Sequence, residues 1–157
     1  MEKWLWQLCE NDKDSLIAIL FFDCVDLLIY FAHMIIAVDF DGTIVEHRYP
    51  LIGKALPNSF KVLKKLKEEG HILILWTYRS GDELNDAIKY CKKNGLEFYA
   101  VNNNSKDEDF DISNSRKIYA DLYIDDRNLF DLPEWNTIYL MVREIAEQAL
   151  IHVSFPK

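Results

Sequence analysis

The sequence predicts an α/β domain built on a parallel sheet flanked by helices, with no inserted cap domain. Short apolar runs at 35–38, 71–76, 96–101 and 121–124 read as strands. Between them lie stretches with apolar residues at helical spacing, two of them closed by glycine. Strands alternating with helices at such intervals pack as a parallel sheet with right-handed crossovers.

Composition bounds the class of protein. A chain of 157 residues, 50% hydrophobic and 28% charged, is the size of one domain with a real core. A net charge of −8 argues against a nucleic-acid binder, which depends on clustered Lys and Arg. Cys9, Cys24 and Cys91 are odd in number and scattered, so neither a disulfide framework nor a zinc site is indicated, and a reducing cytoplasm is the expected location.

Residues 1–33 read as an apolar helical extension. Asp23 and Asp26 interrupt the apolar stretches before they reach the roughly 20 residues of a spanning helix. No membrane partner is therefore expected, and the acidic start is the wrong sign for a secretory leader. On a helical wheel Asp23, Asp26, Tyr30 and His33 share one side, leaving an apolar surface that suggests a homo-oligomer. Met34 directly precedes the first strand, so an added or mis-started segment stands beside that reading, with the domain proper at 34–157.

From Ile35 the chain runs Ile-Ile-Ala-Val-Asp-Phe-Asp-Gly-Thr. Residues two apart on a strand share a face, so a chain extended through Phe40 brings Asp39 and Asp41 together, and Gly42 permits the turn that follows. Two acids in one dry site repel each other unless a cation lies between them or one stays protonated, and a hard, oxygen-loving cation is the natural expectation. The segment 44–58, punctuated by Pro50, Gly53 and Pro57, reads as a hairpin-like flap.

A helix follows over about 57–69, ended by Gly70, and a second over about 81–94, ended by Gly95. Between them the second strand ends at Thr77. Residues 102–115 form a polar loop with Asp107, Glu108, Asp109 and Asp111, followed by a helical turn and a strand that ends at Asp125-Asp126. Pro133 opens a last helix over about 134–150. In parallel sheets ligands bind beyond the carboxyl ends of the strands, where Asp39, Asp41, Thr77, Asp125 and Asp126 would meet.

Taken in order, the DFDGT string at 39–43, the strand ending in Thr77, Lys117, and the DLYIDD run at 121–126 resemble the haloacid dehalogenase superfamily of phosphohydrolases. The resemblance covers about 34–130. It implies a Rossmann-like sheet and a magnesium-dependent phosphatase working through an aspartyl phosphate. Asp39 would be the nucleophile and Asp41 the general acid and later base, with its carbonyl on the metal. Thr77 would bind a phosphoryl oxygen, and Lys117 would offset the collected negative charge. Asp125 and Asp126 would complete the Mg2+ site, Asp125 as direct ligand and Asp126 through water or as an orienting group.

Neither the interval from Asp39 to Thr77 nor that from Thr77 to Lys117 has room for an inserted domain, so the chain resembles the small capless members. The implied substrate is a phosphorylated small molecule, with sugar phosphates and nucleotides both open. Arg79 and Arg127 are the candidates for reading it, since arginine clamps anions bidentately. Tyr78, His47 and Arg48 are nearby candidates better read as surface groups. Two alternatives stand beside the phosphatase: a non-catalytic regulatory or binding module on the same fold, and phosphoryl transfer to an acceptor other than water.

Overall fold

The structure is a computed structural model that describes residues 33–106 and 117–154. Within the chain two compact units separate, one of 33–144 and one that joins 1–32 to 145–157. The expected helical extension and the acidic loop residues Asp107, Glu108, Asp109 and Asp111 lie outside the described residues.

The first unit is organised by four parallel strands, β1 (Ile35–Val38), β2 (Ile72–Leu75), β3 (Ala100–Val101) and β4 (Leu122–Ile124), in the order β3-β2-β1-β4. Among the described residues three helices accompany them: α1 (Ser59–Glu68), α2 (Gly81–Lys93) and α3 (Trp135–Ser154), of which the part up to Glu144 belongs to this unit. This is an α/β, Rossmann-like arrangement without a cap domain. Ile36, Ala37 and Val38 are all buried although they alternate between the two faces of β1. A strand covered on both faces reads as a continuous apolar run, which is why this one was visible in the sequence.

On one face Ala37, Ile74, Ala100 and Ile118 pack together, joined by Trp76 and Tyr123. The helices contribute Phe60, Val62, Leu63 and Leu66 from α1, Ala87 and Cys91 from α2, and Trp135, Ile138 and Val142 from α3. Tyr90 on α2 bridges two aromatic neighbours, with its ring 6.3 Å from Phe40 and 5.9 Å from Phe60.

The expected third strand is shorter than its apolar run. Leu96 still bonds back to the helix end through its N–H to Cys91 O (3.0 Å), and only Ala100 and Val101 join the ladder. Leu96 and Phe98 are buried and Tyr99 is 45% exposed, so this stretch covers the core as the chain leaves α2, ahead of the two ladder residues. The last helix runs past the expected end, to Ser154. The flap has the expected form: Glu46 N–H donates to Lys54 O (2.8 Å) and Leu56 N–H to Ile44 O (2.9 Å).

Candidate active site

Register decides which residues meet. Val38 pairs with Leu75 on one side and Ile124 on the other, so the first residues beyond β1, β2 and β4 leave the sheet at one level. Asp39 N–H donates to Ile124 O and Trp76 N–H to Val38 O, both at 2.9 Å. Phe40, fully buried, turns into the core beside Tyr90, which leaves Asp39 at the crevice. Beyond Ile124 come Asp125 and Asp126, and oxygens of Asp39, Asp125 and Asp126 lie within 4.8 Å of one another. Among the described residues this is the cluster able to hold a metal ion.

Burial pushes the Asp39 carboxyl up to about 6, and the neighbouring Asp125 and Asp126 carboxylates add to the rise. The Phe40 N–H and the Thr43 hydroxyl oppose it. Asp126 Oδ1 is buried with no hydrogen-bond partner, an arrangement costly for a carboxylate oxygen and fitting for one that awaits a cation. Asp125 Oδ1 accepts the Arg127 N–H (2.8 Å) and its carbonyl accepts Asn128 Nδ2–H (2.7 Å), so the loop after β4 wraps around this acid. Asp126 thus offers a buried, unpartnered oxygen, and Asp125, the expected direct ligand, stands in the same cluster.

Thr43 links the acids. Its hydroxyl donates to Asp39 Oδ2 (3.1 Å) and accepts the Asp126 N–H (3.0 Å). Its carbonyl accepts the indole Nε1–H of Trp135 (3.0 Å). Gly42, at φ +90°, lies so close to Asp126 that a Cβ there would meet Oδ2 at 2.1 Å. Only glycine combines that backbone conformation with that approach. Neither Thr43 nor Trp135 is assigned a role by the sequence; Thr43 lies inside the DFDGT string four residues from Asp39, but its other partners, Asp126 and Trp135, are distant along the chain.

Asp41 departs from the expectation of two converging acids. The strand ends at Val38, before either acid, and the Asp41 carboxylate turns to Arg79. Arg79 Nε donates to Oδ2 (2.6 Å) and Nη2 to Oδ1 (2.7 Å). The Asp41 carboxylate is thus outside the metal-ready cluster. Arg79 was expected to read substrate, yet it is 2% exposed. Its Nη1 donates to Pro50 O (3.0 Å) and its Nη2 to Leu51 O (2.8 Å). A guanidinium so buried and so engaged is internal structure, turned away from any substrate.

Thr77 follows β2, its N–H donating to Asn102 Oδ1 (2.8 Å) and its Oγ1 accepting the Arg79 N–H (3.3 Å). Asn102, at φ 52°, also donates its N–H to Leu75 O (2.8 Å), and so closes the end of the sheet behind Thr77. The sequence reading had placed Asn102 in the polar loop. Lys117 is exposed, with its ammonium 5.4 Å from the centre of the Tyr123 ring, two residues before Asp125. Arg127 is exposed beside the acid pair.

No family model matches the sequence, and no curated protein does. Among solved structures, a conserved protein coded by a locus of Bacteroides thetaiotaomicron is 51% identical, with a TM-score of 0.69. The similarity covers 98% of that chain and 76% of this one. This chain belongs to that protein's family. Identity at this level across nearly the whole of the other chain means that the family shares the sheet described here. Among the described residues no helix is long and apolar enough to cross a membrane.

Proposed function

We propose that the protein is a magnesium-dependent phosphomonoesterase that acts through an aspartyl phosphate on Asp39. The observation that carries this reading is the convergence of Asp39, Asp125 and Asp126 within 4.8 Å at the carboxyl end of a parallel sheet, with Asp126 Oδ1 buried and unpartnered. Three carboxylates so placed call for a hard cation, and Mg2+ suits a few carboxylates together with substrate oxygens. Asp39, Asp126 and Asp125 would hold it, with the Asp41 carbonyl as the further oxygen that the resemblance supplies. When bound, the ion neutralises charge on the acids and on the phosphate.

Asp39 serves as nucleophile because Thr43 occupies one of its oxygens and fixes the carboxylate, leaving the other oxygen clear of that bond. Attack forms a bond from a carboxylate oxygen to phosphorus as the ester P–O bond breaks, and the leaving oxygen takes a proton from Asp41, the role the resemblance assigns to it, carried on a lone pair that the bonds from Arg79 Nε and Nη2 leave free. Water then attacks the aspartyl phosphate, gives a proton to Asp41, and releases inorganic phosphate. The Thr77 hydroxyl is the donor for a phosphoryl oxygen, and Lys117, near β4 over Tyr123, supplies positive charge.

The test is a panel of p-nitrophenyl phosphate, sugar phosphates and nucleotides, assayed with Mg2+ and again after chelation. The reading expects hydrolysis that requires the metal and disappears in Asp39→Asn. A panel with no turnover, or an Asp39→Asn variant as active as the wild type, would overturn it.

A further inference from the structure

Arg79 is the largest side chain among the fully buried residues, and its guanidinium joins three segments far apart in sequence. Both Asp41 oxygens, the Pro50 and Leu51 carbonyls at the flap tip, and the Glu83 carbonyl in the first turn of α2 (3.5 Å) all accept from it. The rings of Phe40 and Tyr49 lie 5.1 and 5.3 Å from its central carbon. The planar fork of arginine suits such multiple fixed contacts, whereas lysine offers one compact charge. The flap itself is held by few ladder bonds, Glu46 to Lys54 and Ile44 to Leu56, and its outer residues 46–51 are exposed.

We propose that Arg79 is a positioning residue that locks the flap tip to Asp41, so that flap and carboxylate are held as one unit beside the phosphate site. The role of Asp41 in this inference rests on the phosphatase reading; the locking of the flap does not. Because the guanidinium is both buried and fully turned inward, Arg79 acts through Asp41 and the flap and makes no contact with substrate.

Hydrogen exchange on the full chain tests the lock directly. Arg79→Gln combined with Asp41→Asn removes both charges together, which avoids leaving one buried ion unpaired. Loss of the bonds to the flap carbonyls should speed exchange of the Glu46 amide roughly tenfold or more, while the Trp76 amide in the sheet stays protected. Unchanged exchange at Glu46 overturns the lock. If the double variant does not fold, Arg79→Lys carries the same readout, since one ammonium does not span Asp41 and both carbonyls.

Kinetics then separate positioning from substrate contact. In Arg79→Lys, kcat on an alkyl phosphate should fall at least tenfold with KM nearly unchanged; a raised KM with unchanged kcat would make Arg79 a substrate contact and refute the inference. If the wild type hydrolyses nothing, the phosphatase reading fails by itself, and the exchange result still decides whether Arg79 holds the flap.

Discussion

Replacing Asp39 by Asn should stabilise the metal-free protein at neutral pH and leave it unchanged in acid. Burial and the two neighbouring carboxylates raise the Asp39 carboxyl from 3.8 to about 6. A raised acid contributes stability that is complete below its unfolded value and is lost as pH climbs through the folded value. At 1.36 kcal/mol per pH unit the full loss is about 3 kcal/mol, and partial exposure of the carboxylate brings the expected figure to about 1.5–3 kcal/mol. For a chain of this size that is roughly 3–10 °C in Tm.

The assay is thermal melting of wild type and Asp39→Asn from pH 4 to 8 in chelator. His71 pulls the other way, because burial lowers its pKa and its neutral Nδ1 accepts the Met34 N–H, so acid destabilises the fold there. That effect is common to both proteins, and the difference between their curves isolates Asp39. The gap should open as pH rises above 3.8, be largely complete by about pH 6, and close when Mg2+ stabilises the wild type by binding the folded state. Parallel curves across the pH range, or a variant less stable than wild type at pH 7.5, would refute the reasoning.

Gly42→Ala should cost about 1–3 kcal/mol from its positive φ and the clash with Asp126, and should abolish any rise in Tm on adding Mg2+, measured by melting with and without the ion. Thr43→Val keeps the shape but removes the bonds to Asp39 and Asp126, for a loss of about 2–4 kcal/mol in denaturant titration. Asp41→Asn should lower turnover of alkyl phosphates about a hundredfold, and much less for p-nitrophenyl phosphate, whose leaving group needs no proton; steady-state rates on the two substrates check this.

The sheet could be read from the sequence because its central strands, β1 and β2, are buried on both faces, and the first two helices because Gly70 and Gly95, both at positive φ, end them. The edge strand was overestimated, since an apolar run reports burial and says less about ladder pairing. At the site, Asp39, Asp125 and Asp126 came together as expected because register alone aligns the ends of β1 and β4. Asp41 and Arg79 did not follow, because a long side chain reaches partners that no local spacing encodes. Thr43, Trp135 and Asn102 were missed because their partners lie far along the chain: Thr43 bonds Asp126 across 83 residues, Trp135 bonds Thr43 across 92, and Asn102 bonds Thr77 across 25.

The central claim is that Asp39 carries the phosphoryl group. Acid quenching during turnover of p-nitrophenyl phosphate with Mg2+, followed by peptide mass spectrometry, tests it most directly. The account predicts phosphate on the peptide that contains Asp39, absent without metal and absent in Asp39→Asn; steady turnover with undiminished activity in Asp39→Asn and no phosphate on that peptide would contradict it.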